Sequence, residues 1–460
     1  MGMDAVVVGS GPNGLAAAIT LAQHGLAVTV LEAHDETGGG ARTAELTVPG
    51  VLHDVCSAIH PFGIGSPFFR TLPLEDHGLV WRFPEVDLAH PLDDGTAGVL
   101  VRDLETTAAG LGEDGDRWRA VFGPVSEQYD DLAPDVLGPI VHLPHRPVLL
   151  GSFGLRAALP ATVLARAFRT DAARALFTGV AAHISRPLNR PSTAAIGAFM
   201  IGAGHRYGWP VAEGGSRAIT DALAGLLRSL GGEIRTGVHV RSMSDLPDAR
   251  ISLFDTTPTA FADIAGRPRP RWRYGMGAYK LDLAVRGGVP WTAEPCRRAG
   301  TVHVGGRFEE IARAEARAAK GRMPQRPFVL VGQQYLADPT RSVGDVHPVW
   351  AYAHVPHAYA GDATGVVLDQ IERFAPGLRD RIVGMHVTDP AGFEAYNPNY
   401  VGGDIAAGAV TVPQLVRRAA YATGAPGAYL CSASTAPGPG VHGMCGHLAA
   451  RRALRDLTTG

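Results

Sequence analysis

The feature that most constrains the fold is a glycine-rich turn near the start of the chain. A run of small and β-branched residues at 5–8 leads into Gly9-Ser10-Gly11-Pro12-Asn13-Gly14, and an alanine-rich segment follows. A second apolar run at 27–31 closes with Glu32. Strand, Gly-x-Gly-x-x-Gly turn, helix, strand and terminal acid predict, in this order, the βαβ unit that binds a dinucleotide.

Each glycine of the turn has its own predicted role. Gly9 permits the tight turn, Gly11 lets the backbone approach a pyrophosphate, and Gly14 lets helix and strand pack closely. The N-terminus of the helix offers unpaired N–H groups and partial positive charge to phosphates. Glu32 lies 18 positions after Gly14, where a carboxylate accepts the ribose hydroxyls.

Composition excludes several classes of protein. The chain has 460 residues, which predicts two domains, and its 46% apolar and 19% charged content is typical of a soluble globular protein. The balance of 42 basic and 44 acidic residues argues against a nucleic-acid partner. Four cysteines without a Cys-x-x-Cys pair argue against a redox dithiol and a cysteine metal site, and favour a reducing cytoplasm. We expect no bound metal.

The sequence predicts no membrane span and no signal peptide. No segment reaches the ~20 uninterrupted apolar residues of a span, and the first strand begins within the first few residues. The apolar segment 149–169 carries Arg156, Arg166 and Arg169. Two alternatives are open for it. The segment rests on a membrane surface or gates an apolar substrate, or it packs on the core with its arginines in solvent.

The periodicity of the rest of the chain predicts alternating strands and helices. Residues 79–102 read as short strands with a turn at 93–95, and 105–195 as mostly helical. A second glycine run at 202–204 precedes Trp209-Pro210 rather than a helix, so we expect no separate NAD(P)H domain. Further helices are predicted at 217–230, 308–320, 364–374 and 447–457, and further strands at 237–241, 251–254, 328–335 and 349–355.

A second glycine cluster separates FAD from NAD as the predicted cofactor. Glu32 is followed by Gly38-Gly39-Gly40-Ala41-Arg42-Thr43. This loop resembles the one that follows the second strand in flavoproteins of the glutathione-reductase and amine-oxidase type and approaches the phosphates. By that resemblance Arg42 contacts a phosphate or the ribityl chain.

Two glycine-proline clusters near the C-terminus extend the resemblance to the whole chain. They are Tyr396 to Ile405 and Tyr429 to Gly446, and the second contains Ala-Ser-Thr-Ala-Pro-Gly-Pro-Gly-Val-His-Gly at 433–443. Together with the N-terminal motifs they resemble the phytoene-desaturase-like branch of the FAD-dependent amine-oxidase superfamily. The chain is most similar to members labelled phytoene-dehydrogenase-related or pyridine nucleotide-disulfide oxidoreductase domain-containing, although it lacks an active-site cysteine pair.

The resemblance implies an α/β fold with a discontinuous, Rossmann-like FAD-binding domain of the glutathione-reductase type and an inserted α+β substrate domain. We expect the FAD-binding domain in 1–65, 206–268 and 392–460. The substrate domain is expected in 66–205 and 269–391, with its mostly helical part at 105–195.

The resemblance also implies site residues. Lys280 is one of only two lysines, and alternation places it on one strand face with Asp282. In amine oxidases a strand lysine holds a water beside flavin N5, so Lys280 is a predicted catalytic residue; pairing with Asp282 is the alternative. His442 is the second predicted catalytic residue, and Ser57 and His60 are predicted to line the cavity. The predicted cofactor-binding residues are Gly9, Gly11, Pro12, Asn13, Gly14, Glu32, Gly39, Gly40, Arg42, Val238 (at the adenine), Gly440, Val441 and Gly443.

The function implied is that of an FAD-dependent dehydrogenase or oxidase. It would move hydride from a C–H bond of an apolar or amine-bearing small molecule to flavin N5, with oxygen or a quinone-type compound as the electron acceptor. Two alternatives are open: a redox-neutral FAD-dependent isomerase of a polyene-like substrate, and a catalytically silent flavin-binding interaction protein. We expect a cytoplasmic protein, and a homodimer is compatible with the resemblance.

Overall fold

The computed structural model describes residues 3–139, 141–418 and 421–459. Its strands, in chain order, are β1 (Ala5–Val8), β2 (Val28–Leu31), β3 (Thr43–Glu45), β4 (Leu52–Asp54), β5 (Trp81–Arg82), β6 (Val86–Pro91), β7 (Ala97–Leu100), β8 (Val211–Ala212), β9 (Glu233–Arg235), β10 (Ile251–Phe254), β11 (Gly277–Arg286), β12 (Ala299–Val304), β13 (Val329–Gly332), β14 (Val346–Val355), β15 (Ile382–Thr388) and β16 (Ala428–Leu430).

The helices follow the same numbering by chain order. They are α1 (Pro12–Gln23), α2 (Pro61–Ile64), α3 (Leu104–Gly110), α4 (Gly115–Glu127), α5 (Tyr129–Val136), α6 (Pro147–Ala157), α7 (Ala161–Leu164), α8 (Asp171–Ala181), α9 (Ala194–Tyr207), α10 (Arg217–Ser229), α11 (Pro258–Ile264), α12 (Phe308–Ala318), α13 (Thr364–Glu372), α14 (Leu378–Arg381), α15 (Pro390–Tyr396), α16 (Val412–Arg418) and α17 (Met444–Thr459).

A five-stranded parallel sheet carries the glycine turn. Its order is β16-β10-β1-β2-β9, with β1 at the centre. All four residues of β1 are buried, as expected of a strand covered by helices on both faces. Helix α1 packs against α17 and α10, so the last helix of the chain covers the first. The predicted α/β fold with a Rossmann-like parallel sheet is therefore confirmed.

A second, seven-stranded sheet forms the other half of the molecule. Its order is β15-β11-β14-β13-β12-β6-β7, antiparallel except for the β12–β6 pair. All strands of this sheet fall within 66–205 and 269–391, and all strands of the parallel sheet fall within the ranges predicted for cofactor binding. The β6–β7 hairpin confirms the predicted turn at 93–95.

Helices α3 to α9 occupy most of 104–207, as the sequence predicts for 105–195. Among the described helices, none is long and apolar enough to cross a bilayer alone; the pair Pro147–Ala157 and Ala161–Ala167, bent by 86°, passes that test of length and composition together. On α6, Val148 is 85% exposed and Leu155 is 78% exposed. This segment therefore does not bury its whole apolar surface on the core.

One predicted strand is wrong. Residues 237–241 contain no strand, because the N–H of Val238 donates to the carbonyl of Glu32 at 2.8 Å while Gly237 bonds to His34. The segment leaves the sheet after β9 and crosses the end of β2 instead. The helices predicted at 217–230, 308–320, 364–374 and 447–457 are confirmed by α10, α12, α13 and α17.

Candidate functional site

The predicted glycine turn lies at the carboxyl end of β1, where it closes on the N-terminus of α1. Gly9 has φ +99°, a conformation that a side chain disfavours. A Cβ on Gly14 would lie 2.1 Å from the Gly9 carbonyl oxygen. The absence of side chains therefore brings strand and helix together and leaves a concave backbone surface, as a pyrophosphate requires.

The second glycine cluster packs face to face with the first. Gly39 has φ +52°, and a Cβ there would lie 2.9 Å from Gly11 Cα. A Cβ on Gly40 would lie 2.0 Å from the hydroxyl oxygen of Tyr400. Tyr396 also reaches this loop, because its hydroxyl donates to the Gly39 carbonyl at 2.6 Å. Both glycines line the same cavity as the first turn.

Arg42 stabilises this loop from within. Its side chain donates to the carbonyls of Thr37 (3.2 Å) and Glu36 (3.0 Å) and lies 3.5 Å from Glu32 Oε1. The arginine lines the cavity but is only 4% exposed. Its contact with a phosphate or the ribityl chain stays a prediction, since its hydrogen bonds in this structure go to the loop.

Glu32 ends β2 beside the glycine turn, at the position predicted for a ribose contact. One carboxylate oxygen accepts from the backbone and hydroxyl of Ser10, at 2.9 and 2.5 Å. The other accepts from the His34 N–H at 2.9 Å. The carboxylate is thus held in one orientation on the cavity wall. Val238 lies next to it, and because its N–H is already bonded, it has only its carbonyl to offer an adenine.

Asp255, which follows a strand expected to end at the cofactor but was not among the predicted site residues, completes this end of the site. It follows β10, and its Oδ2 accepts from the Gly14 N–H at 3.0 Å. Burial is the main cause that raises its pKa to about 7, opposed by this hydrogen bond and assisted by the charge of Glu32. A carboxyl group that titrates near neutrality therefore lies at the helix N-terminus where a phosphate would bind.

The Asn-Pro-Asn run near the C-terminus fixes Asp255 and its neighbours. Asn399 accepts from the Thr257 N–H at 2.9 Å and donates to the Asp255 carbonyl at 3.2 Å. The run is Asn397-Pro398-Asn399, within the first of the two glycine-proline clusters near the C-terminus. Its contacts link the C-terminal cluster to the strand that lies beside β1.

The cavity continues from the glycine turns into an apolar, aromatic chamber. Its volume is about 920 Å³. Beyond the glycine turns its wall includes Ile196, Met200, Leu330, Trp350 and Tyr352. Cavities of this kind, with an apolar lining and few polar groups, are typical of small-molecule sites.

Several buried polar atoms on this wall have no protein partner. They belong to cavity-lining residues, and the atoms are Asn13 Oδ1, Trp209 Nε1, Thr256 Oγ1, Thr301 Oγ1 and Trp350 Nε1. Buried polar atoms are normally satisfied, so these atoms fit a ligand that has polar groups along its length. The glycine cradle, the fixed carboxylate and these atoms together fit a dinucleotide that extends towards the chamber.

Some residues of the C-terminal motif line the cavity, and others lie behind the lining. Gly440 (φ +144°) and Val441 line the cavity, whereas His442 and Gly443 do not. The His442 ring lies behind Gly440, its Nδ1 accepts from the Met444 N–H at 3.1 Å, and burial lowers its pKa to about 4. This position caps α17. The catalytic role of His442 stays a prediction, and its contacts are those of a structural residue.

Lys280 also lies behind the wall. It is 1% exposed, lies on β11 and donates to Asp282 Oδ2 at 2.5 Å, which is the alternative pairing expected from the strand period. Asp282 Oδ1 lies 3.5 Å from His53 Nδ1. The lysine is close to Cys56, which lines the cavity: burial raises the pKa of that thiol, and a hydrogen bond from Tyr400 and the charge of Lys280 oppose the increase.

Ser57 and His60 both lie on the cavity wall, where the sequence analysis expected them. His60 Nε2 hydrogen bonds with Ser216 Oγ at 2.8 Å, and Ser216 Oγ donates to the Ser57 carbonyl at 2.6 Å. Burial lowers the pKa of His60 to about 4. The ring is therefore neutral at physiological pH and can donate Nε2–H to Ser216.

Comparison with known proteins agrees with this geometry. Residues 7–72 match the family described as NAD(P)-binding Rossmann-like domain. The chain is 24% identical to pyridine nucleotide-disulfide oxidoreductase domain-containing protein 2 of Rattus norvegicus, over 99% of this chain and 94% of that protein. It is 26% identical to phytoene desaturase (neurosporene-forming) of Rhodobacter capsulatus, over 52% of each.

Among solved structures, putrescine oxidase bound to putrescine has the same fold. The TM-score is 0.64 at 17% identity, and the superposition covers 100% of both chains. Residues 7–72 are thus similar to NAD(P)-binding Rossmann-like domains, the chain has the fold of putrescine oxidase, and its sequence is similar to those of pyridine nucleotide-disulfide oxidoreductase domain-containing protein 2 and phytoene desaturase.

Proposed function

We propose that the protein is an FAD-dependent oxidoreductase that removes hydride from a C–H bond of an apolar small molecule. The observation that carries the proposal is the continuity of the cavity. One space runs from the glycine turns and Glu32 to the aromatic wall of Trp350 and Tyr352. A cofactor held at the first end would meet a substrate held at the second.

The names of the relatives support the reaction class. One homologue is a desaturase named for phytoene, a second is named as part of a limonene dehydrogenase, and the structure with the same fold is an oxidase that holds putrescine. Oxidation of a C–H bond is common to these names. The apolar chamber of this chain favours a substrate that is mostly hydrocarbon.

The residues present fit FAD, and different residues would bind its different parts. The glycine turns and the N-terminus of α1 would hold the diphosphate, Glu32 the ribose, and Gly440 with Val441 the flavin end. A bound flavin would supply the hydride-accepting atom, N5. Asp255 would have to be protonated, because an ionised carboxylate at the Gly14 N–H repels a phosphate.

The chamber itself would orient the substrate and exclude water. Leu330, Met200 and Ile196 offer apolar contacts, and Trp350 and Tyr352 pack edge to face at 4.8 Å between ring centroids. Such a wall holds a hydrocarbon by burial and shape, without a charged group. Positioning of the C–H bond is then the main contribution of these side chains to the reaction.

Re-oxidation of the protein-bound flavin tests the proposal. The protein is purified, the released cofactor is identified by chromatography, and the holoprotein is photoreduced without oxygen and mixed with aerated buffer. We expect FAD, with rapid return of the oxidised spectrum for an oxidase and slow return, accelerated by quinones, for a dehydrogenase. A purified protein that neither contains nor takes up FAD would contradict the proposal.

Lys280 offers a sharper test of the oxidase alternative. We propose that it assists the reaction with oxygen from its position behind Cys56. Lys280→Met leaves Asp282 buried without its cation, so the matched control is Asp282→Asn, and the double variant removes both charges. If the proposal holds, both variants that lack the lysine re-oxidise more slowly, and Asp282→Asn does not. Equal rates in air for all four proteins would remove this role.

A further inference from the structure

A serine, a histidine and a glutamate form a hydrogen-bonded chain at the chamber end of the cavity. Ser185 Oγ lies 3.0 Å from His354 Nε2, and His354 Nδ1 lies 2.9 Å from Glu315 Oε2. The order hydroxyl, imidazole, carboxylate is the arrangement by which proteins activate a hydroxyl group. The three residues come from separate elements: the turn after α8, strand β14 and helix α12.

The three hydrogen-bonded residues Ser185, His354 and Glu315 differ in their exposure to the cavity. His354 is 3% exposed and Glu315 is 1% exposed, whereas Ser185 lines the cavity. Ser185 also has φ +49° and ψ +49°, a left-handed conformation that costs a serine free energy. Of these three groups, the Ser185 hydroxyl is therefore the one that a ligand can reach. The fold holds the Ser185 backbone in an unfavourable conformation that places this hydroxyl on the cavity wall.

The proton positions follow from the chemistry of the three groups. A carboxylate accepts hydrogen bonds, which suits donation from His354 Nδ1 to Glu315. For Ser185 to take a proton from a ligand, its own hydroxyl must donate to His354 Nε2, which lies 3.0 Å away. The free lone pairs of Ser185 Oγ then accept a hydrogen bond from the ligand. This arrangement suits a ligand group that has a proton to donate.

The charged groups on the cavity wall favour a neutral hydrogen-bond donor over a cationic one as the ligand group that meets Ser185. Among the described residues that line the cavity, the carboxylates are Glu32, Asp255 and Asp263, and all three belong to the segments around the dinucleotide end. The imidazole on the wall beside Ser185, His183, is neutral, because burial lowers its pKa to about 3. An alkylammonium would find no carboxylate in the chamber, whereas a neutral hydroxyl needs none.

We propose that the substrate is an apolar alcohol, whose hydroxyl donates to Ser185 and whose proton passes to His354; this deepens, and rests on, the proposed function. With a flavin bound to accept hydride from the carbinol carbon, the hydroxyl proton would move to Ser185 Oγ and the serine proton would move to His354 Nε2. The C–O single bond becomes a carbonyl. Ser185 stays neutral, and Glu315 stabilises the imidazolium that forms.

Binding of matched ligands tests the substrate class without turnover. The probes are 2-alkanols, 2-alkanones and 2-aminoalkanes from hexyl to dodecyl. They are titrated by calorimetry into the anaerobic holoprotein after photoreduction of its flavin, so that no hydride acceptor remains. We expect the best alcohol to bind about tenfold more tightly than its ketone, which cannot donate to Ser185. Ser185→Ala abolishes this preference. Thr178→Val, which removes a buried hydroxyl from α8 that lies outside the cavity lining, keeps it.

Equal affinity for alcohol and ketone at every chain length, a preference for the amines, or a preference that survives in Ser185→Ala would overturn the inference. Failure of this inference can be distinguished from failure of the proposed function. A hydroxyl preference in a protein whose FAD no substrate reduces would disprove the oxidoreductase and leave the hydroxyl site. Reduction of FAD by other substrates without that preference would disprove the hydroxyl site alone.

The supporting residues have a spectroscopic test. An imidazole N–H bonded to a buried carboxylate gives a proton resonance far downfield of the amide region. We expect this resonance in the wild type and in Ser185→Ala, and its loss in Glu315→Gln and His354→Gln. Persistence of the resonance in Glu315→Gln would show that His354 is not positioned by this carboxylate.

Discussion

Asp255→Asn should stabilise the cofactor-free protein, and the gain should grow as the pH rises. Asp255 packs against Gly14 on the cavity wall, and desolvation raises its pKa from the ordinary 3.8 to about 7. The folded state therefore binds this proton more tightly than the unfolded state, and stability falls as the pH rises from about 4 to about 7. Each pKa unit is worth about 1.4 kcal/mol, so the shift costs about 4 kcal/mol above pH 7.

Asparagine keeps an oxygen that can accept the Gly14 N–H but carries no charge. The wild type and Asp255→Asn should thus be nearly equally stable at pH 4, and the variant should be more stable by up to about 4 kcal/mol at pH 8. Urea denaturation at a series of pH values measures the difference. Asp263→Asn is the matched control, because Asp263 lines the same end of the cavity but is paired with Arg269, which holds its pKa below the usual value.

The same titration should appear in the affinity for FAD. If only the protein with neutral Asp255 binds the diphosphate, affinity falls about tenfold between pH 6 and pH 8 for a pKa of about 7. Asp255→Asn should remove that dependence, as measured by quenching of flavin fluorescence. Parallel stability curves for the wild type and the variant, together with equal pH dependence of FAD binding, would refute the reasoning.

Three further perturbations test other parts of the structure. Gly14→Ala places a Cβ 2.1 Å from the Gly9 carbonyl, so we expect loss of FAD binding in a dialysis assay; retention of the wild-type affinity would contradict the close packing. Arg341→Met leaves the fully buried Asp54 without its cation and should cost about 3–5 kcal/mol in urea denaturation, whereas a loss under 1 kcal/mol would show that the ion pair is dispensable. Leu155→Asp lies on the exposed face of α6 and should reduce sedimentation with anionic liposomes without changing thermal stability; unchanged sedimentation would argue against membrane contact.

The dinucleotide end of the cavity could be predicted from the sequence, because its motif residues lie close together along the chain. Gly9, Gly14 and Glu32 lie within one βαβ unit, whose strands and helix are set by short-range patterns. The pairing of Lys280 with Asp282 was foreseen as an alternative, since residues two apart share a face of a strand. The strand expected at 237–241 failed, because a tertiary hydrogen bond to the end of β2 overrode a local preference.

Local sequence patterns were enough to predict a parallel sheet with a dinucleotide cradle, because glycine conformation and strand–helix periodicity are properties of neighbouring residues. Which side chains face that cradle and the chamber depends on tertiary packing. Asp255 meets Gly14 across 241 positions, and Ser185 meets His354 across 169. No period or motif links residues so far apart, and their contact depends on how two sheets and a helical segment pack. The same packing places His442 behind the cavity wall and Ser185 on it.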